Sequence, residues 1–491
     1  MAKPHPFFML LCLHFVAVGA LASPGFGPAL TQAYQASLKL KVNSSRALLR
    51  QLPRQETAEQ AAILLVENYN DFLELCVEQD GQQKNRLIEA QEQRLEKIKR
   101  LAGNNPWKDY ALAEVSMQLA MGKLLFGNRL SAAWSFRSAY LQYTRNAKHW
   151  PHFIPNKKNL GVLQVMIGSV PDQYIGFLNI IGLKGSVREG LANLTTAATA
   201  PNPFQAEARL LQAVVLHALA QDEANPAVAQ VLTLVKAQPD NLIFVFTALH
   251  LLKKNNQGEA AIKLYNSRPV GSAFLSFPYL HHMAADLYLY QGDYENSIKE
   301  NNLFLQQHKG QHYLKSANYK LYIAYLLSDH PRQAKWHFNR IKKVGIAETE
   351  EDKYAASYAN RNEQQVVPLL KARLHADGGY YQEALQDLEQ LQLSAALPVA
   401  VRAEYLYRKA RVYHGLNEWQ EAATCYRKTI ALAASTDLYF APNAALQLGY
   451  IYQQWHQPEQ AKAYFRLAMS YRGHAYKNSI DSKAKLALST F

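Results

Sequence analysis

Cysteine is almost missing from this sequence: three residues in 491, one of them, Cys12, inside the first apolar run. Cys76 and Cys425 alone cannot make a disulfide framework, and no Cys or His spacing suited to a metal is present. Both read as small hydrophobes in a packed interior. Strand signals are scarce, and no Gly/Ser-rich or Pro-rich stretch is long enough to act as a hinge. The prolines stand at expected helix ends, as in Asn105-Pro106, Trp150-Pro151, Pro201-Asn202-Pro203 and His330-Pro331. No nucleophile elbow, HExxH, phosphate-binding loop or Gly-rich dinucleotide turn occurs. His281 and His282 are adjacent and point to different faces of a helix, and His149-Trp150-Pro151-His152 reads as a turn. Catalysis, cofactors and metals are therefore not expected.

Acidic residues are in deficit, 39 against 53 Lys and Arg, which leaves a net charge of +14. The meaning of that charge depends on the compartment. After Lys3, the run Phe7 to Ala20 is apolar except for His14, and Ala20-Leu21-Ala22 precedes Ser23 in the small-x-small form of a signal-peptidase site. Residues 1–22 are expected to be a cleaved export signal, giving a periplasmic or extracellular protein, since the run is shorter than the ~20 residues of a spanning helix. Outside the cytoplasm nucleic acid is not the expected partner, and an anionic surface or acidic protein is. The basic residues come as short clusters such as Lys253-Lys254 and Lys342-Lys343, the mark of a solvated face.

What the sequence does contain is a repeated helical hairpin. Leu448, Gly449, Tyr452, Ala461, Phe465 and Ala468 form one copy, and Ala410, Tyr413, Ala422 and Tyr426 hold matching places in the copy before it. Small residues fit where two antiparallel helices approach, and aromatics fill the gap between pairs. The pattern resembles the tetratricopeptide repeat. Taking the small residue of each second helix as a ruler, the marks are Ala260, Ser297, Ala334, Ala384, Ala422 and Ala461, at steps of 37, 37, 50, 38 and 39 residues. An earlier copy carries Leu119, Ala120, Gly127, Ala132, Phe136 and Ala139. The expected fold is all-α, an α-solenoid.

Ahead of the repeats, amphipathic helices are expected at Ala29 to Leu52, Ala58 to Gln79 and Lys84 to Leu101. The apolar stretch Leu160 to Leu194 breaks the pattern with its Pro171-Asp172 turn, Gly182-Leu183-Lys184-Gly185 and Gly190-Leu191-Ala192-Asn193-Leu194. Here the chain resembles the inclusion-body-clearance family of tetratricopeptide proteins, from about Pro106 onward, and Asn241 to Glu259 and Tyr288 to Trp336 are similar to its repeats. That resemblance implies an all-helical adaptor shape. It departs at the front, because the family is largely intracellular. Residues 160–183 read as a buried helical hairpin plugging the superhelix, with contact to a membrane as the other reading.

In such arrays the first helix of each hairpin lines the concave groove. Positions facing it are His282 and Asp286, Tyr319 and Ile323, Leu369 and Arg373, Tyr407 and Arg411, Leu446 and Tyr450. Arg373, Tyr407, Arg411 and Tyr450 suit a carboxylate or an extended peptide. The carboxylate clamp known in the repeat family uses Lys and Asn where this chain has Tyr407, Arg411 and Gln447. Glu348, Glu350, Glu351 and Asp352 read as a solvated loop, and Trp134 and Trp419 as packing residues. The expected divisions are an N-terminal helical part (23–105), an early repeat with the apolar hairpin (106–200), the repeats (201–474) and a capping helix (475–491). The expected function is a scaffold binding a protein or peptide in its groove. The alternatives are a glycan- or lipid-binding module and a peripheral membrane protein.

Overall fold

The computed structural model describes residues 25–53, 58–170, 176, 178–219, 226–361 and 365–491. The expected export signal and the Pro171-Asp172 turn lie outside them. Among the described residues the elements are helices only: α1 (Pro28–Leu38), α2 (Val42–Arg50), α3 (Ala58–Glu78), α4 (Lys84–Arg100), α5 (Pro106–Leu125), α6 (Arg129–His149), α7 (Pro155–Gly168), α8 (Val187–Thr199), α9 (Gln205–Leu219), α10 (Ala227–Ala237), α11 (Leu242–Lys254) and α12 (Gly258–Asn266). They continue as α13 (Tyr279–Gln291), α14 (Tyr294–Gln307), α15 (Leu314–Leu327), α16 (Pro331–Ile341), α17 (Glu350–Arg361), α18 (Val367–Gly378), α19 (Tyr381–Glu389), α20 (Val399–Gly415), α21 (Trp419–Ala433), α22 (Phe440–Gln454), α23 (Pro458–Ser470) and α24 (Lys477–Leu488).

Local chemistry sets the helix ends. Pro106 and Pro331 open α5 and α16, where the missing N–H costs nothing. The Asn105 side chain accepts the Lys108 N–H at 3.0 Å, and Asp293 accepts that of Asn296 at 3.0 Å. The single helix expected from Ala29 to Leu52 is two, because Leu40 takes a left-handed φ of 62° and turns the chain. Its carbonyl then accepts the Leu275 N–H at 2.8 Å, a contact no local pattern could announce.

Hairpin packing follows the small and aromatic residues. A Cβ at Gly449 would lie 2.4 Å from the Phe465 ring, so glycine there is what lets α23 close on α22. Ala410, Ala422, Ala461 and Ala468 are fully buried at the same kind of crossing. One ruler mark moves: Ala260 is exposed and its neighbour Ala261 is the buried one. The long 50-residue step is the extra helix α17, which packs on α15. First helices touch one another in the order α9, α11, α13, α18, α20, α22, with α15 branching from α13, and so form an inner layer.

Strict nearest-neighbour stacking does not hold. Lys39 and Lys41 both pair with Asp240, at 2.9 and 2.8 Å, and His312 Nε2 lies 2.8 Å from the Leu125 carbonyl. The N-terminal helices thus brace the array from the side. One apolar core runs from Phe26 to Tyr288, with Phe26 stacked on Trp107 at 5.1 Å and Tyr34 edge-on to Phe204 at 4.8 Å.

The apolar stretch packs along both of its described parts. In α7, Leu160, Leu163, Val165 and Ile167 are buried, and the helix meets α8 backbone to backbone. A Cβ on Gly190 would fall 2.6 Å from the Gly161 carbonyl oxygen, and the reverse contact is 2.7 Å. In the second half Leu183 is buried and Leu178 and Ile181 pack against the core, while Ile180 is 84% exposed. Cys76 and Cys425 are free and half-buried, and burial pushes the Cys76 thiol up to about 12, leaving it unreactive.

Candidate functional site

The inner layer from α11 to α22 carries two polar groups of residues. The first is a buried ionic knot. Asp286 of α13 pairs with Lys253 of α11 and with Lys320 of α15, the latter at 2.9 Å. Lys320 also reaches Glu351 of α17 at 3.2 Å and donates to His282 Nε2 at 2.7 Å. Burial alone would raise the Asp286 carboxyl, but Lys253 and Lys320 hold it below the ordinary range. Burial, then Lys320, lowers the His282 pKa against the pull of Glu351, whose carboxylate lies 3.0 Å from Nε2.

His282 therefore does not offer itself to a ligand, contrary to expectation: it is fully buried, packed on Phe304 and Tyr279. The expected solvated loop is also corrected. Glu350, Glu351 and Asp352 begin α17, and Asp352 is fully buried. Its carboxylate accepts the backbone N–H groups of Tyr313 at 2.6 Å and Ser316 at 3.0 Å, capping α15 from another helix.

The second group is a row of arginines and tyrosines. Arg373 of α18 donates to the hydroxyls of Tyr354 at 2.8 Å and Tyr319 at 3.1 Å. No carboxylate forms an ion pair with it among the described residues. Burial would raise the Tyr354 hydroxyl, yet Arg373 beside it holds it below its usual range. Arg411 of α20 pairs with Asp377 at 3.0 Å, and Arg408 pairs with Glu404 at 2.9 Å. Tyr407 is buried, its hydroxyl accepting from Asn443 at 2.6 Å, so it braces α20 on α22 instead of facing a ligand. Tyr450 is half-buried and packs edge-on to Phe465 at 5.2 Å. Ile323, Leu369 and Leu446 are core residues.

Sequence reasoning missed Tyr354, Asp377 and Arg408, which share this wall, and Tyr476, which closes it. Tyr476 precedes α24, is half exposed, and packs edge-on to Tyr439 at 5.2 Å. Its hydroxyl lies in the field of Arg373 and Arg361, and Lys483 of α24 lies in that of Lys254 of α11. The C-terminal helix packs on α22 and α23, which brings its start close to this wall. Arginine forks fixed by hydroxyls and aromatic edges can grip a carboxylate in two-point fashion.

Outside this wall, a cleft of about 540 Å³ lies between α14, α15 and α16, lined by His308, Lys309, Asn318, Trp336, His337 and Arg340 among others. His337 Nδ1 is 3.0 Å from Asn318 Oδ1, and the ring stacks on Tyr325. Burial, then Arg340, lowers its pKa to about 4. In the unfolded chain a histidine titrates near 6.5, so between pH 6.5 and 4 the unfolded state binds more protons and acid lowers stability. The expected slope from this ring is at most about 1.4 kcal/mol per pH unit across that window. Thermal melts of wild type and His337→Gln at pH 7 and pH 4.5 check it: the variant should lose less stability on acidification.

No group of three or more His, Cys, Asp or Glu is arranged to hold a metal among the described residues. Nor, among them, is any helix long and apolar enough to cross a membrane. Trp134, expected to be a packing residue, is 68% exposed on α6.

No curated protein matches the sequence. Among solved structures, the human IFIT1 dimer with m7Gppp-AAAA is 13% identical with a TM-score of 0.34, covering 92% of this chain and 90% of its own. A monomeric IFIT1 mutant with Gppp-AAAA gives 13% and 0.34 over 90% of this chain and 89% of its own. A tetratricopeptide-repeat model matches residues 442–474, the hairpin in which Gly449 receives Phe465. With that repeat, and the same small-residue crossing in the hairpins before it, the chain is a tetratricopeptide-repeat protein.

Proposed function

We propose that this chain is a non-catalytic scaffold that holds an acidic or carboxylate-ending polypeptide segment along its inner helix layer, and that it does so outside the cytoplasm. The observation that carries the reading is Arg373: a half-buried guanidinium oriented by two tyrosine hydroxyls, with no carboxylate ion pair among the described residues. Arg411 and Arg408 extend the charge along the wall, each already moderated by one carboxylate. Partner carboxylates would meet donors fixed in place, which lowers the cost of ordering the site. Mild cross-linking and affinity capture of the tagged chain from its own cells tests this. Wild type should retain a small set of proteins that Arg373→Met with Arg411→Met loses, about tenfold in yield per bidentate contact. An unchanged set, or recovery of RNA, glycan or lipid without protein, would overturn the reading. Fractionating the same cells tests the location: recovery in the cytoplasm with residues 1–22 attached contradicts export.

A further inference from the structure

We propose that the outer face of α6 is a docking surface for an acidic phospholipid membrane. Spaced at helical intervals, Leu130, Trp134, Arg137, Leu141, Arg145 and Lys148 fall on one face of this helix. Leu130 is 80% exposed and Trp134 68%, and Leu141, Arg145 and Lys148 are exposed as well. Two large apolar groups of that kind, one turn apart, are an expensive surface to leave in water. The patch extends beyond the helix: Arg137 Nε donates to the Ile181 carbonyl at 2.7 Å, which anchors the segment carrying the exposed Ile180 beside α6.

Charge selects the occupant. The helix contains four Arg and Lys residues and no Asp or Glu. Lys184 and Arg188, which follow Ile180, are exposed too. Glu348 lies 3.6 Å from Arg129 at the start of α6, Glu189 is exposed next to Arg188, and Glu92 and Glu96 share with Ser135 a cleft that also holds Lys97, Arg100 and Lys123. A protruding tryptophan with a leucine on either side of it and arginine and lysine toward the helix end is the pattern of a helix lying in a headgroup layer: the indole sits at the interface and the cations meet lipid phosphates. A protein partner of matching shape would need its own acidic rim; a second copy of this basic surface would repel it. The surface is separate from the inner helix layer, so it stands independently of the groove reading.

The test is flotation of the mature chain with vesicles of phosphatidylcholine alone and of phosphatidylcholine mixed with phosphatidylglycerol. Binding should require the acidic lipid, and Leu130→Ser with Trp134→Ser should reduce it about tenfold or more. Arg145→Glu with Lys148→Glu should reduce it while leaving the apolar residues in place, and added salt should do the same to wild type. Because these side chains are exposed, melting temperatures should match wild type, and Arg373→Met should float as wild type does. Absence of acidic-lipid binding, or binding by either double variant that stays at the wild-type level, overturns the proposal. So does a chain that self-associates in solution through Trp134, since the ridge would then belong to a second copy.

Discussion

Replacing Lys158 with alanine is expected to destabilise the protein by about 3–5 kcal/mol, the cost typical of breaking a buried ion pair on one side. The Lys158 side chain is 1% exposed, with its Nζ 2.9 Å from Glu207 and 3.5 Å from Glu114. It also lies over the Phe204 ring. Burial would lower the lysine pKa, but the two carboxylates raise it, so the ammonium stays charged. Tyr34 donates to Glu207 and Asn159 donates to Glu114, which completes the shell. Without Lys158, two carboxylates remain in an interior made of Phe26, Trp107 and Phe204. Chemical denaturation should place the variant's midpoint well below wild type. Adding Glu207→Gln should recover part of the loss, because one stranded charge goes with it. A loss under about 1 kcal/mol would mean that water reaches the group and screens it.

The second large effect is expected at Asp286. Asp286→Ala leaves Lys253 and Lys320 buried with only Glu351 to share between them, again at a cost of about 3–5 kcal/mol. The consequence reaches the inner wall. Lys320 is next to Tyr319, one of the two residues that orient Arg373, and Lys320 links α13, α15 and α17 through Asp286, His282 and Glu351. Below the melting point, Asp286→Ala should therefore weaken capture of the partner as well as lowering the transition temperature. Asp286→Asn, which keeps the shape and one acceptor, should show a smaller loss of the same sign. An Asp286→Ala protein as stable as wild type would show that the two lysines find other partners.

The repeats were legible because their chemistry is local. Gly449 and Phe465, or Ala410 and Ala422, meet at fixed offsets within one hairpin, and any sequence that nests two helices must supply them. The slip from Ala260 to Ala261 is the one-residue uncertainty that remains when two alanines stand side by side. Arg373, Arg411 and Tyr319 were placed on the inner layer by the same ruler, and the structure brings Arg373 and Tyr319 into contact.

What escaped sequence reasoning depends on partners far along the chain. Asp352 looked solvated because it sits in an acidic run, while its partners, the Tyr313 and Ser316 N–H groups, belong to another helix. His282 has groove spacing, yet α17 covers it with Glu351, a helix the regular step did not anticipate. Trp134 occupies a helical position that would pack in an inner hairpin but faces outward on α6. Leu40 turned one expected helix into two through a single left-handed residue whose carbonyl is bonded by Leu275.

Fluorescence anisotropy with short labelled acidic peptides measures directly whether the Arg373 wall recognises a carboxylate, as proposed. Each peptide would be prepared with a free C-terminal carboxylate and with an amide in its place. The prediction is about tenfold tighter binding of the free-carboxylate form, a difference that disappears in Arg373→Met and shrinks as salt is raised. Equal affinity for the two forms in wild type, or an undiminished difference in Arg373→Met, would contradict it.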